Sequence, residues 1–269
     1  MEKPTDTCPV TRIRAGCAEA AEDEVIREEP LEILVGEKPF AVVMRTPGDE
    51  VALAAGLLYA EGIVSRKSDL EAIEYCGDEN GNRVIARLTP GVADAHRDAL
   101  CRSVFLSKSS CGLCGKEMIE EISRKTRACT RQVEIAVGEL RALKDDLSCA
   151  QEVYAACHGS HAVALFDGER CSVAFAEDIG RHNAMDKAIG VALLTRRLDE
   201  VVIAIASSRA SFEMVQKAAA AGIPLLATIS NPSALAIALA ERVGMTLVRL
   251  RREDEVRVYT HPERIRTAR

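Results

Sequence analysis

Short apolar segments and amphipathic segments alternate regularly over the second half of the chain, and this rhythm constrains the fold more than any other feature. The pattern predicts strands at His161–Phe166 and Glu200–Ala206, and helices and further strands continue through Thr246–Leu250. Successive units of this kind build a sheet with helices on both faces. Residues 131–269 are therefore predicted to form a three-layer α/β/α domain.

The first half of the chain has a different pattern, which predicts a small α+β domain over residues 22–130. An alternating apolar run with a central turn at Gly36–Pro39 predicts a hairpin, and an Ala- and Leu-rich segment after Asp49 predicts a helix with that residue as its N-cap. The domain is expected to end in a two-cysteine loop and the helix after it. Residues 1–21 show no hydrophobic period, so we expect an extended leading segment, with regular structure beginning near Glu22.

Composition excludes several classes of function. A formal charge of -6 argues against a general nucleic-acid binder, which needs a concentrated basic surface. No apolar run approaches the roughly 20 residues of a membrane span, and the first residues lack the apolar stretch of a signal peptide. We therefore expect a cytoplasmic protein that binds no membrane, in which the ten cysteines are free thiols, metal ligands or reactive groups rather than disulfides.

Two cysteines separated by two residues, Cys111 and Cys114, are the sharpest local motif. At a helix N-terminus near lysines, such a thiol has a depressed pKa and can accept sulfur as a persulfide, which the neighbouring thiol can attack to release sulfide. Half of a zinc site, a thioredoxin-like redox pair and two thiols without a role are the alternatives. In a thioredoxin fold the cysteine pair lies in the first turn after a strand. Here the pair lies between the two predicted domains, which argues against the thioredoxin-like alternative.

A zinc site would need further ligands, and the nearest candidates are Cys157, His158 and His161. The sequence has no second two-cysteine motif of the same spacing. Zinc deaminases carry a His-x-Glu motif whose Glu is the catalytic acid and base. That Glu is absent after His161, so zinc deamination is excluded. We expect no metal ligands and no permanently bound cofactor.

Three strand-to-helix turns concentrate polar side chains, at residues 177–183, 207–213 and 230–233. Hydroxyls, backbone N–H groups and Arg side chains at helix starts suit a phosphate or pyrophosphate, and open α/β sheets bind ligands at this edge. Each turn alone is also explained as a capped helix start, with Asp178 or Asn183 capping the first helix. No phosphate-binding loop of the P-loop type is present, which argues against ordinary nucleotide hydrolysis.

Taken together, the motifs resemble the formate dehydrogenase accessory sulfurtransferase family, FdhD, over roughly residues 20–266. The resemblance is carried by SSCGLCG at residues 109–115, EDIGRHNAMDKAIG at 177–190, SRASFE at 208–213, EPL at 29–31, MRTPGD at 44–49, EG at 61–62, YT at 259–260 and PER at 262–264.

The resemblance implies a sulfurtransferase. A cysteine desulfurase would load sulfur onto the cysteine pair as a persulfide, and the protein would pass it to a molybdenum or tungsten bis(molybdopterin guanine dinucleotide) cofactor before its insertion into formate dehydrogenase. The implied fold of the second domain is cytidine-deaminase-like, and a homodimer is implied as well. A zinc-stabilised, non-catalytic module that binds a nucleotide or a partner protein is the alternative function.

The candidate site residues form two groups. Cys111 is the expected persulfide bearer and Cys114 the assisting thiol, although the reverse assignment is nearly as well supported. The three turns and, by similarity to the family, the last predicted strand supply the candidate cofactor-binding residues: Arg181, His182, Asn183, Ser208, Arg209, Ser211, Ser230, Asn231, Val256, Arg257, Val258, Tyr259, Thr260 and His261.

The sequence departs from the family pattern at two places. Cys157 and His158 stand where a Thr-Gly pair is usual before Gly159, and a Ser stands where a Gly often precedes Arg209. We expect the first change to reshape the pocket wall or to add a metal-binding thiol, whereas the second requires a backbone that accepts a side chain.

Overall fold

The computed structural model describes residues 3–78, 81–96, 105–106, 128–252 and 255–267 of the chain. These ranges form a mixed α/β structure with two main sheets, which confirms the predicted fold class at that level. No helix within them is both long enough and apolar enough to cross a membrane.

Regular structure begins with an antiparallel hairpin, so the expectation that it begins near Glu22 is wrong. Strands β1 (Thr5–Arg14) and β2 (Cys17–Ile26) pair along their full length. Most of their side chains are exposed, so the sequence has no hydrophobic alternation to mark them. The turn residues Ala15 and Gly16 have φ of 48° and 84°, and an Ala-Gly pair is a weaker turn signature than Asn-Gly.

The first main sheet has five strands in the order β5-β6-β3-β4-β7. The predicted hairpin forms its centre, and one face packs on a helix that follows the hairpin. The elements are β3 (Glu29–Val35), β4 (Lys38–Arg45), α1 (Glu50–Ala60), β5 (Leu70–Asp78), β6 (Gly81–Leu88), α2 (Pro90–Ala95) and β7 (Phe105–Leu106).

The second main sheet has six strands in the order β10-β9-β11-β12-β13-β14, of which β11, β12 and β13 are mutually parallel. Its strands are β9 (His161–Phe166), β10 (Ser172–Asp178), β11 (Ile203–Ala206), β12 (Leu225–Thr228), β13 (Thr246–Arg252) and β14 (Glu255–Thr260). The helices are α3 (Val137–Ala150), α4 (Glu152–Cys157), α5 (Arg181–Leu194), α6 (Phe212–Ala220) and α7 (Ala234–Val243). A small parallel pair joins β8 (Ile135–Ala136) to β15 (Ile265–Arg266).

Both faces of the second sheet are buried, as the predicted three layers require. Side chains alternate along each strand, so Val163 and Leu165 join the core beneath α5 to α7, whereas Ala162 and Ala164 face the core beneath α3. The first of these cores continues through α1 to the first sheet. The predicted boundary between residues 130 and 131 stays a prediction, and the two halves share this core.

The helical pattern over Val137–Tyr154 predicts one helix, but the structure has two helices that meet at Gln151. The carboxylate of Glu177 accepts hydrogen bonds from the backbone N–H groups of Val153 (2.9 Å) and Tyr154 (3.0 Å). A distant strand therefore supplies the acceptor that begins a new helix, which no local pattern records.

Asp49 stands at the N-cap position of α1, but its side chain makes no capping hydrogen bond, so the predicted role is wrong. Its φ of 57° places it in the left-handed region, and Glu50 instead accepts a hydrogen bond from the N–H of Gly48 at 2.6 Å. The left-handed residue redirects the chain from β4 into the helix.

Helices α1 and α5 cross with their backbones in contact. A Cβ atom at Gly56 would lie 1.8 Å from the carbonyl oxygen of Asp186, and one at Gly190 would lie 1.8 Å from the carbonyl oxygen of Ala52. The two contacts are reciprocal and run in opposite directions along the helices, so the pair is antiparallel. Only glycine permits this approach at either position.

A buried polar network fixes the end of β4 against the start of α5. The ammonium of Lys187 lies 2.9 Å from the carboxylate of Asp178 and donates to the carbonyl oxygen of Thr46 at 2.9 Å. Asp178 also accepts from the Thr46 N–H at 3.1 Å, and all three residues are at most 2% exposed. The charges are therefore paired and hydrogen-bonded, as burial demands.

We predict that Gly190→Ala lowers the free energy of unfolding by about 3 kcal/mol, the upper part of the range for overpacking, because the obstacle is a backbone carbonyl. The measurement is urea denaturation. Gly138→Ala in α3 is the matched control, since a Cβ there meets no atom within 4 Å. It should be neutral or stabilising by up to about 1 kcal/mol. Equal behaviour of the two variants would contradict the helix contact.

We predict that Lys187→Met destabilises the fold by about 3–5 kcal/mol, because it leaves the Asp178 carboxylate buried without its counter-charge. The double variant Asp178→Asn/Lys187→Met should recover most of this loss in the same assay. Arg12→Met is the control, because its ion pair with Glu19 is exposed and 4.0 Å long. That change should cost less than about 1 kcal/mol.

Candidate functional site

The candidate site lies at one edge of the second sheet, where β10, β11 and β12 end and β9 begins. His161 pairs with Asp178, and Val163 pairs with Ala206, which in turn pairs with Thr228. The three polar turns predicted from the sequence leave the sheet at this level. We call this the carboxyl edge; it is the usual ligand-binding edge of such sheets.

The start of α5 places three predicted residues at this edge with different surroundings. The Nε of Arg181 is buried and has no hydrogen-bond partner among the described residues. His182 Nε2 lies 3.1 Å from the hydroxyl of Ser211. Asn183 instead donates to the carbonyl oxygen of Met44 at 2.7 Å and to Asp178 at 3.0 Å. Its amide thus helps to hold the two halves of the chain together.

Two imidazoles at the edge are neutral at pH 7. Burial lowers the pKa of His182 to about 4; Glu213, 3.1 Å away, opposes the shift, and Arg181 adds to it. Burial also lowers the pKa of His161, with Arg181 and Arg209 acting in the same direction. The contact from His182 to Glu213 is therefore a hydrogen bond from a neutral ring. Next to these two rings, Arg181 and Arg209 supply positive charge.

The turns at residues 207–213 and 230–233 are joined by backbone hydrogen bonds. The N–H of Ser230 donates to the carbonyl oxygen of Ser208 at 3.3 Å, and that of Ser233 donates to the carbonyl oxygen of Ala210 at 3.0 Å. The Ser233 hydroxyl caps α7 by accepting from the Ala236 N–H at 3.1 Å, as a plain N-cap would.

The structure thus gathers most of the predicted turn residues at one edge. Ser208 is buried without a left-handed backbone, so Ser is tolerated before Arg209. Asn231 accepts a hydrogen bond from the buried Arg249 of β13. The residues that lie together are Arg181, His182, Ser208, Arg209, Ser211, Ser230 and Asn231.

The predicted C-terminal segment is divided between the two ends of the sheet. Arg257 pairs with Arg249, near the carboxyl edge, and Val256 pairs with Leu250 just beyond it. β14 then runs antiparallel to β13, so Thr260 pairs with Leu247, about 10 Å away at the opposite end.

The last four residues of this segment are held by structural contacts. Val258 packs on the core beneath α3, and Tyr259 packs on the core that α1 and α5 share. The Thr260 hydroxyl donates to the carbonyl oxygen of Met245 at 2.7 Å. His261 contacts Glu263 at 3.2 Å. The structure does not bring Thr260 and His261 to the carboxyl edge.

The loop with Cys157 and His158, which departs from the family pattern, leads into β9 at the carboxyl edge. His158 has a φ of 55°, a left-handed conformation that explains why Gly is usual there. The Cys157 thiol donates to the carbonyl oxygen of Val153, and His158 packs edge-on against Tyr154 with ring centres 5.2 Å apart. In the described ranges, no three His, Cys, Asp or Glu side chains are placed to share a metal ion.

Two site residues were not predicted from the sequence. Glu213 holds His182, and Arg249 holds Asn231 while its other terminal nitrogen contacts Glu255 at 2.9 Å. The sequence signals the role of Arg249 only by placing an Arg within the apolar segment Thr246–Leu250. A buried charge in a strand needs a partner. Cys111 and Cys114 lie outside the described residues.

Comparisons with known proteins agree with the motifs. The model of the FdhD/NarQ family matches residues 26–266. A protein named sulfur carrier protein FdhD from Mycolicibacterium paratuberculosis is 40% identical over 95% of this chain and 97% of its own length. Another of that name from Streptomyces avermitilis is 42% identical over 98% of this chain and 97% of its own.

A solved structure gives the same relation at the level of the fold. A crystal structure from Desulfotalea psychrophila, described as that of a formate dehydrogenase accessory protein, superposes with a TM-score of 0.78 at 25% identity. The match covers 98% of this chain and 100% of that one. Family model, relatives and structure span nearly the whole chain, and the chain therefore belongs to the FdhD/NarQ family.

Proposed function

We propose that this protein is a sulfurtransferase that carries sulfur, as a cysteine persulfide, from a cysteine desulfurase to the molybdenum or tungsten bis(molybdopterin guanine dinucleotide) cofactor of formate dehydrogenase. The names of its relatives support the sulfur-carrier part. The carboxyl edge is the observation that carries the cofactor-binding part of the proposal. It brings together the starts of three helices and the guanidinium groups of Arg181 and Arg209, which form few contacts with other side chains.

The edge suits a client with pyrophosphate groups. Arg181 and Arg209 have no ion-pair partner among the described residues, and the hydroxyls of Ser208 and Ser211 flank them. Guanidinium groups and helix N-termini are the usual phosphate ligands of proteins. Neutral His161 and His182 add hydrogen-bonding capacity without further positive charge.

The direction of β7 supports delivery of sulfur to this edge. β7 runs parallel to β4, with Phe105 paired to Ala41 and Leu106 to Val42, so the chain leaves it toward Met44. The carbonyl oxygen of Met44 accepts from Asn183 in α5. Cys111 follows Leu106 by five residues, which an extended chain spans in at most about 18 Å.

The proposed chemistry has two exchange steps. The Cys111 thiolate attacks the terminal sulfur of the desulfurase persulfide, so the donor S–S bond breaks, a new S–S bond forms, and the donor leaves as a thiolate. The Cys114 thiolate then attacks Cys111 Sγ, which forms a disulfide between them and releases sulfide to the client's metal. An external dithiol reductant returns the pair to its reduced state.

The remaining family expectations are part of the same proposal. We infer a homodimer in the cytoplasm, and a second domain that derives from the cytidine deaminase fold with its catalytic Glu lost. The cofactor is cargo, so no permanently bound cofactor is required.

We predict that incubation with a cysteine desulfurase and cysteine adds about 32 Da per sulfur atom to the intact mass, and that reductant removes it. Cys111→Ala should abolish the gain, whereas Cys114→Ala should retain a persulfide that is released slowly. Cys76→Ala is the control, because that thiol is exposed on β5. No mass gain in any form, with stoichiometric zinc bound instead, would favour the zinc-stabilised binding module.

We predict that GDP, the nucleotide part of the proposed client, binds at the carboxyl edge. Arg181→Gln and Arg209→Gln should each raise its Kd at least about tenfold, because a charged hydrogen bond contributes roughly 1.5–3 kcal/mol. Isothermal titration calorimetry measures the effect. His261→Ala and Arg242→Gln should leave the Kd unchanged. A loss caused by His261→Ala with none from the arginine variants would move the site to the opposite end of the sheet.

A further inference from the structure

A cleft lies between the loop that follows α1 and the loop that follows α5. It has a volume of about 300 Å³. Because α5 is 14 residues long, the wall of the cleft at Leu193 lies about 20 Å along the helix from Arg181. Its lining includes three basic side chains, Arg66, Lys67 and Arg196, an apolar part with Leu193 and Leu198, and one acid, Asp199.

One wall of the cleft is a loop held by a single carboxylate. Asp69 accepts hydrogen bonds from the N–H groups of Ser65 (2.8 Å) and Arg66 (3.1 Å), and from Arg66 Nε at 3.1 Å. Burial opposes ionisation, but these hydrogen bonds outweigh it and hold the Asp69 pKa below its usual value. The bond to Nε orients the guanidinium group and leaves its two terminal nitrogens for a ligand.

The opposite wall carries Arg196 in a left-handed conformation, with φ of 62°, just beyond the end of α5. Glycine is the usual residue at that position, so a side chain there is retained against the backbone preference. The next residue, Arg197, is paired with Asp167 and Glu200. Arg196 and Lys67 have no ion pair or hydrogen bond from their side chains to any described residue.

The acid in the cleft does not neutralise these cations. Asp199 is fully exposed, and its carboxylate lies 3.4 Å from Arg131, outside the cleft. Arg66 is already paired with Asp69 at 3.1 Å, so Lys67 and Arg196 supply the charges in the lining that have no ion-pair partner among the described residues, in a protein of net charge -6. Guanidinium and ammonium groups in this arrangement match the oxygens of a phosphoryl group.

We propose that this cleft binds a small phosphate monoester. Arg66, Lys67 and Arg196 hold the phosphoryl group, and the organic part lies against Leu193 and Leu198. The volume is at the lower end of the range for ligand sites, which limits the ligand to a small molecule or a single phosphorylated side chain. The proposal does not depend on the proposed sulfur transfer.

The test is calorimetric titration with phenyl phosphate, in an Arg181→Gln/Arg209→Gln background that removes phosphate binding at the carboxyl edge. Lys67→Gln should raise the Kd at least about tenfold, and Arg242→Gln, an exposed arginine on α7, should not. Raising the salt concentration should weaken binding. Benzoate and phenol should bind more weakly than phenyl phosphate. Phosphoserine in a short peptide distinguishes a side-chain source from a free ester.

Arg196→Gly separates binding from folding. It removes the charge but supplies the residue that the left-handed backbone favours, so thermal stability should be unchanged or higher while phenyl phosphate binding falls. Unchanged binding in both Arg196→Gly and Lys67→Gln overturns the proposal. Equal affinity for benzoate overturns the phosphate assignment, and no binding at about 10 mM phenyl phosphate overturns the site.

Discussion

The backbone contact between α1 and α5 determines how the two sheets are arranged. Gly56 and Gly190 allow each helix to touch a carbonyl oxygen of the other, so the helices pack closer than side chains permit. Each helix also belongs to the core of its own sheet. The distance between the two sheets therefore follows from two residues without side chains, and the polar groups at the ends of these helices are positioned by the same contact.

The buried network at Asp178 converts this packing into a fixed site. Hydrophobic contact alone is non-directional, whereas the bonds among Lys187, Thr46 and Asp178 require one relative position of β4 and α5. Asn183 adds a second link to β4 through Met44. As a result, the backbone preceding Arg181 is held by groups that do not need to contact a ligand, which leaves the guanidinium available for one.

The sequence predicted well what depends on local pattern and chain order. The strand at His161–Phe166 and the gathering of the three turns at one edge follow from hydrophobic period and from the geometry of parallel strands. The features it missed depend on distant partners or on exposure. The restart of the helix at Gln151 is set by Glu177, and the leading hairpin has no buried face to mark it. β14 carried Thr260 away from the edge because strand direction is decided by pairing with β13.

The shared core also determines what happens when the chain is cut. A break between residues 130 and 131 would separate α1 from α5 and expose on each fragment an apolar helix face shaped to fit a glycine of the other. Neither fragment could bury that face by itself. The two pieces should therefore behave as complementary fragments, which fold only on association.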